Sequence, residues 1–149
     1  MNRMLKAMVL FFILTGIAWQ AVAFSEADLQ KLKASLKCPK CDLAGADLTG
    51  VDLSGAKLID AYLEDANLQN ANLTGADLTK AYLETTDLAG ANLTQANLTG
   101  AFLERTNLEN ANLTDAVLTD AKLNWVKNLN TAILCRTTMP DATVNNSGC

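Results

Sequence analysis

Two of the four cysteines stand at a spacing that could support redox chemistry. Cys38 and Cys41 are separated by Pro39 and Lys40, which gives the C-x-x-C arrangement of dithiol–disulfide motifs. The alternating strand–helix pattern that accompanies such motifs in redox proteins does not surround them. We therefore interpret the pair as structural, with a thiol–disulfide redox function as an alternative.

The chain of 149 residues contains no histidine. Histidine is the usual general base, a member of Ser-His-Asp and Cys-His sites, and the commonest metal ligand. A glycine-rich phosphate-binding loop is also missing from the sequence. We therefore expect a protein that is not an enzyme, with no catalytic residues, no cofactor and no metal site.

A five-residue repeat occupies most of the chain and must position any functional surface. Leucine recurs at every fifth position from Leu43 to Leu123, seventeen times without a miss. Alanine lies two residues before leucine in 13 of these 17 units, and Asn or Asp lies between them in 11. A period of five fits neither an α-helix nor a strand, so the chain must turn once in each unit. The four units without this alanine carry other residues there: Cys41, Val51, Thr86 and Thr106.

The pattern A-(D/N)-L-x-x resembles the pentapeptide-repeat family. The resemblance implies an all-β solenoid over residues 41–125, a right-handed quadrilateral β-helix with four pentapeptides in each coil. Leucine and alanine would point inward, and the other three positions outward. With coils at the usual strand spacing, the rod would be roughly 20 Å long.

The first 23 residues are typical of an export signal. Arg3 and Lys6 give a positive start, an apolar centre follows, and Ala21-Val22-Ala23 forms an A-x-A cleavage site. The apolar run is shorter than the roughly 20 residues that span a bilayer, so a membrane anchor is the less favoured alternative. We expect a signal peptide at 1–23 and a mature protein that starts at Phe24.

The repeat is expected to be capped at both ends. Residues 24–40 carry Ser25 and Asp28, a helix-start signature, and predict a short capping α-helix over 25–37. A partner-binding helix is the alternative. At the other end the period slips by one after Leu123, and residues 126–149 resemble the terminal cap of exported pentapeptide-repeat proteins. We expect Trp125 to cover the last coil, with stacking on a ligand as the alternative.

The rod that the resemblance implies limits how the four cysteines can pair. Cys38 and Cys41 precede it, whereas Cys135 and Cys149 follow it. A disulfide needs Cα atoms within about 7 Å, so a rod of roughly 20 Å leaves only Cys38–Cys41 and Cys135–Cys149. The same distance excludes a four-cysteine zinc site within one chain.

A spacing of 20 residues also aligns outward side chains into columns. Tyr62, Tyr82 and Phe102 occupy equivalent positions, with Asp42 below and Lys122 above. A second column contains Glu64, Glu84 and Glu104. Stacked aromatics stabilise the wall, and the simplest interpretation is structural. The alternative is an interaction face for a basic partner or a divalent cation, with Arg105 and Lys80 as the cations of the repeat near enough to offset the glutamates.

Charge distribution bears on the kind of partner. Residues 41–125 hold 13 acidic and 4 basic side chains. A surface of this sign repels phosphate backbones, so we expect no direct nucleic-acid binding. The leading interpretation is a non-enzymatic structural or protein-interaction module with an unknown protein partner. We expect it to be exported to the periplasm or outside the cell, or to the thylakoid lumen of a cyanobacterium, touching the membrane only through its signal peptide.

A DNA-mimic inhibitor of a nucleic-acid enzyme is a further alternative, because the resemblance includes acidic rods that imitate a DNA duplex and inhibit gyrase. The signal peptide disfavours this function, since gyrase is cytoplasmic. The central position differs too, because those inhibitors usually have phenylalanine there and every central residue here is leucine.

Overall fold

The leucines of the repeat form one continuous interior. A computed structural model describes residues 24–149, and the predicted signal segment lies outside the described residues. Every repeat leucine from Leu43 to Leu118 is at most 1% exposed, and the alanines two positions before them are buried as well. Leu123, in the last coil, is half-buried. Burying an apolar side chain of this size contributes about 1.5–3 kcal/mol, so the column of leucines is the main stabilising feature.

Successive coils pair through residues that are twenty apart. Parallel bridges join Asp42 to Tyr62, Asp47 to Asn67, Asp52 to Asn72 and Lys57 to Asp77, one on each side of a coil. The bridges continue at the same spacing up to Asn107–Lys127. Each is a single residue, because every pentapeptide spends two residues in a turn. Among the described residues, continuous strands occur only as the antiparallel pair β1 (Thr137–Thr138) and β2 (Val144–Asn145).

A β-turn forms each corner of a coil. In the unit that begins at Ala61, the amide of Ala66 donates to the carbonyl of Leu63 at 3.1 Å, and Asp65 has a φ of 56°. Glycine at positions such as Gly45 adopts this left-handed backbone without a steric cost. Thr85 adopts it with a φ of 59°, which is unusual for a β-branched residue.

A short helix covers the first coil, as the sequence predicts. Helix α1 spans Glu26–Ser35, and the side chain of Ser25 accepts a hydrogen bond from the amide of Asp28 at 3.2 Å. Leu29 and Leu32 are buried against the repeat. Pairing of Lys37 with Lys57 shows that the coils begin before residue 41. Within residues 24–149, no helix has the length and apolar character needed to cross a bilayer.

The predicted slip in register occurs beyond Leu123. A 3₁₀ helix at Leu129–Thr131 absorbs one extra residue, so the next bridges join residues 21 apart, Asn112 to Ile133 and Val117 to Thr138. The chain then forms the β1–β2 hairpin and ends at Cys149.

Candidate interaction face

Three aromatic rings form a stacked column on one side of the rod. The ring centroids of Tyr62 and Tyr82 lie 5.0 Å apart with planes inclined by 10°, and those of Tyr82 and Phe102 lie 5.0 Å apart with planes inclined by 4°. Bridges place Asp42 beside Tyr62 and Lys122 beside Phe102 at the two ends of the column. Tyr62 is 43% exposed, whereas Tyr82 and Phe102 are half-buried. The column predicted from the twenty-residue spacing is therefore present.

Glutamates occupy the adjoining corner, two residues after each ring. Their carbonyls join the coils, since the amide of Asp65 donates to the carbonyl of Glu84 at 3.1 Å and that of Thr85 to the carbonyl of Glu104 at 3.0 Å. The Oε2 atoms of Glu64, Glu84 and Glu104 are buried and have no hydrogen-bond partner. A buried carboxylate oxygen without a partner is costly, so this corner is a destabilised part of the surface. We call the six residues the aromatic–glutamate face: Tyr62, Tyr82, Phe102, Glu64, Glu84 and Glu104.

Cations do not offset these glutamates as the sequence suggested. Among the described residues, the only ion pairs are Lys57–Asp77 and Arg136–Asp115. The guanidinium carbon of Arg105 lies 5.7 Å from the centre of the Trp125 ring instead.

The prediction that Trp125 covers the last coil is wrong, because its side chain is 73% exposed. It occupies a left-handed corner position with a φ of 56°, and corner residues project outward whatever their size.

Burial of the carboxyl group raises the pKa of Glu84, and the like charges of Glu64 and Glu104 raise it further, although a backbone hydrogen bond partly opposes them. The folded state thus resists ionisation of Glu84 more than the unfolded state does. The resulting loss of stability is absent at pH values below the ordinary pKa and develops as the pH rises through the raised pKa.

We therefore expect Glu84→Gln to raise the melting temperature at pH 7 by on the order of 2–4 °C and to change it little near pH 3.5. Arg105 and Asp65 are the other charged residues at this corner, and both stay unchanged in the variant. Thermal unfolding of both proteins across this pH range gives the comparison. Glu109→Gln, on a different corner, serves as the control and should leave the melting temperature unchanged at both pH values. Equal shifts for the two variants would contradict the assignment.

A shallow groove borders the aromatic column on its other side. Lys40, Asp60, Tyr62 and Tyr82 line a cavity of about 230 Å³. Lys40 and Asp60 are one coil apart at the same corner and do not form an ion pair in the described structure. The face thus has glutamates along one edge and mixed charges along the other.

Two threonines that replace the repeat alanine form hydrogen bonds next to the glutamate corner. Thr86 and Thr106 are fully buried, and their hydroxyls donate to the carbonyls of Leu63 and Leu83 at 2.7 Å. These carbonyls precede Glu64 and Glu84 in the chain. The sequence contains a pattern that could have identified this pair, because the two threonines lie twenty residues apart and each follows a glutamate corner.

The structure joins Cys38 to Cys41 and Cys135 to Cys149 in disulfides. Cys38 and Cys41 are at most 2% exposed and occupy the leucine and alanine positions of the first coil. Asp28, Cys38 and Cys41 form a cluster of potential metal ligands. The burial of both cysteines limits the access of a partner thiol to this disulfide.

Comparisons with known proteins identify the repeat as that of a known family. The family model described as pentapeptide repeats matches in eight copies, at residues 36–65, 56–95, 66–105 and 91–127. Among solved structures, the chain is similar to a pentapeptide repeat protein from the Arabidopsis thaliana thylakoid lumen, with 31% identity over 68% of this chain and 70% of that one and a TM-score of 0.47.

A pentapeptide repeat protein from Nostoc PCC 7120 is 34% identical over 68% of this chain and 81% of that one, with a TM-score of 0.46. HetL, a pentapeptide repeat protein from Nostoc sp. strain PCC 7120 involved in heterocyst differentiation regulation, is 24% identical over 73% of this chain and 76% of that one, with a TM-score of 0.38. No curated protein matches the chain.

Proposed function

This chain belongs to the pentapeptide repeat family, and we propose that it is an exported, right-handed quadrilateral β-helix that acts as a protein-interaction module rather than an enzyme. Its docking surface is the aromatic–glutamate face, and its partner presents a cationic segment. The observation that carries this proposal is the row of three buried Oε2 atoms without hydrogen-bond partners beside a stacked aromatic column.

Unsatisfied carboxylates favour a cationic partner for a physical reason. In the free protein each oxygen lacks a partner and each glutamate lies one coil from a like charge. Each of the three glutamates is half-buried, so a lysine or arginine of another protein would donate a charge-assisted hydrogen bond to its accessible part and offset the like charges of the column. Such a bond is roughly twice as strong as a neutral one. Binding at this corner therefore removes a local destabilisation, whereas binding at a fully hydrated carboxylate gains little.

The net charge of the repeat supports the same partner chemistry. Residues 41–125 carry nine more acidic than basic side chains, and this field accelerates encounter with a cationic protein. The signal-like residues 1–23 and the two disulfides support export to an oxidising compartment, the periplasm or the exterior, or the thylakoid lumen of a cyanobacterium.

An oligolysine peptide tests the docking surface. We expect it to bind the disulfide-intact protein, and we expect Glu64→Gln, Glu84→Gln and Glu104→Gln together to weaken binding at least tenfold. A control variant with Asp52→Asn, Asp77→Asn and Glu109→Gln has the same net charge but changes other sides and corners of the rod. Titration by calorimetry compares the three proteins. Equal losses of affinity in the two triple variants would overturn the proposal, because binding would then depend on net charge alone.

A further inference from the structure

The spacing of the aromatic–glutamate face along the rod determines the shape of the partner that fits it. Consecutive rings lie 5.0 Å apart, and the bridges between Tyr62, Tyr82 and Phe102 show that each step is one coil. Glu64, Glu84 and Glu104 follow the rings by two residues in each coil. The first and third glutamates are therefore about 10 Å apart along the rod, two coils at the strand spacing.

Two turns of an α-helix advance by nearly the same distance as the separation of the first and third glutamates. Its residues i, i+4 and i+7 lie on one face, and seven residues advance about 10.5 Å along the axis. The second and third side chains of such a stripe thus stay within about 1 Å of the second and third coils. In an extended strand, side chains on one face recur about every 6.8 Å, and the third would be displaced by more than about 3 Å.

We propose that the aromatic–glutamate face binds an α-helix of the partner protein that lies along the rod, with lysine or arginine at positions i, i+4 and i+7 facing Glu64, Glu84 and Glu104. This inference rests on the proposed function, because it assumes that the face is the docking surface. It adds the secondary structure, orientation and charge spacing of the bound segment.

The aromatic column determines where the apolar residues of the partner helix lie. Tyr82 has a ring stacked on each of its two faces, so its rim is the part directed away from the column. An aromatic rim carries partial positive charge and repels cations, whereas the ring face attracts them. The cationic stripe therefore lies over the glutamates, and the apolar residues next to the stripe pack along the rims.

Synthetic peptides of matched composition separate helix recognition from simple charge attraction. The first is an alanine-rich helix with lysines at i, i+4 and i+7. The second contains the same residues with the lysines dispersed around the helix, and the third has one central alanine replaced by proline, which breaks the helix. At low salt, we expect calorimetry on the disulfide-intact protein to show at least tenfold tighter binding of the first peptide than of the other two.

The glutamate variants distinguish failure of the inference from failure of the proposed function. We expect the triple glutamine variant to lose the preference for the first peptide, and the Asp52, Asp77 and Glu109 control to keep it. If all three peptides bind equally and only the triple glutamine variant loses affinity, the helix inference is overturned and the docking surface stands. If the first peptide binds the two variants equally, the docking surface is wrong as well. Failure of the first peptide to bind at millimolar concentration also overturns the helix inference.

Discussion

Leu83→Lys is expected to abolish cooperative thermal unfolding of the protein. Leu83 is fully buried at mid-stack, and its amide donates to the carbonyl of Phe102 in the next coil at 2.8 Å. A lysine there must either bury an unpaired ammonium or push the coil open, and each costs more than about 4 kcal/mol. Because every coil covers the next, the loss at one coil exposes the leucines on both sides. Circular dichroism during heating should show a broad, shallow change in place of a single transition.

Gln95→Lys provides the matched control for this substitution. Gln95 is exposed at a corner and has a φ of 59°. Lys40 and Lys80 occupy the equivalent position of their own pentapeptides with nearly the same φ. The control adds the same charge without burying it and should keep a single transition near the wild-type temperature. A single transition at the wild-type temperature for Leu83→Lys would contradict an inward Leu83.

Removal of the Cys135–Cys149 disulfide is expected to cost about 3 kcal/mol of unfolding free energy. The bridge spans a sequence separation of 14 and encloses the β1–β2 hairpin. The amide of Asp115 donates a hydrogen bond to the carbonyl of Cys135 at 2.9 Å. The disulfide therefore holds the end of the chain against the last coils. Chemical denaturation of the Cys135→Ala, Cys149→Ala double variant measures the loss.

The control for the double variant is Val144→Thr, because Val144 lies in β2 of the same hairpin and is 60% exposed. It keeps the bridge and should unfold like the wild type. We also expect limited proteolysis to cut the double variant first within residues 136–149. A double variant with wild-type stability and protease resistance would show that the bridge does not anchor the end of the rod.

Much of the fold can be predicted from the sequence, because the central leucine of each pentapeptide determines it. A leucine at every fifth position requires a turn in each unit, and the twenty-residue columns follow once four units form a coil. Tyr62, Tyr82 and Phe102 are therefore predictable as a stack, although nothing in their local sequence marks them. The N-cap at Ser25 is predictable for a different reason, since capping depends only on the three residues that follow it.

Features that depend on position within the coil rather than on residue type are harder to predict from the sequence. Trp125 is large and apolar, which suggested a covering role, but its corner position directs it into solvent. Arg105 follows Glu104 directly, yet it lies over the Trp125 ring one coil away. The Thr86 hydroxyl bonds a carbonyl 23 residues earlier, a contact that no local pattern indicates. The unpartnered glutamate oxygens likewise emerge only from packing.

The central claim is that the chain returns to the same side of the rod every twenty residues. Nuclear Overhauser effects between aromatic ring protons test it directly, because Tyr62 and Tyr82 are the only tyrosines in the chain. We expect strong effects from Tyr62 to Tyr82 and from Tyr82 to Phe102, and none from Tyr62 to Phe102, which lie two coils apart. Ring contacts of Tyr62 limited to residues within a few positions in the sequence would contradict the coil, and the aromatic–glutamate face with it.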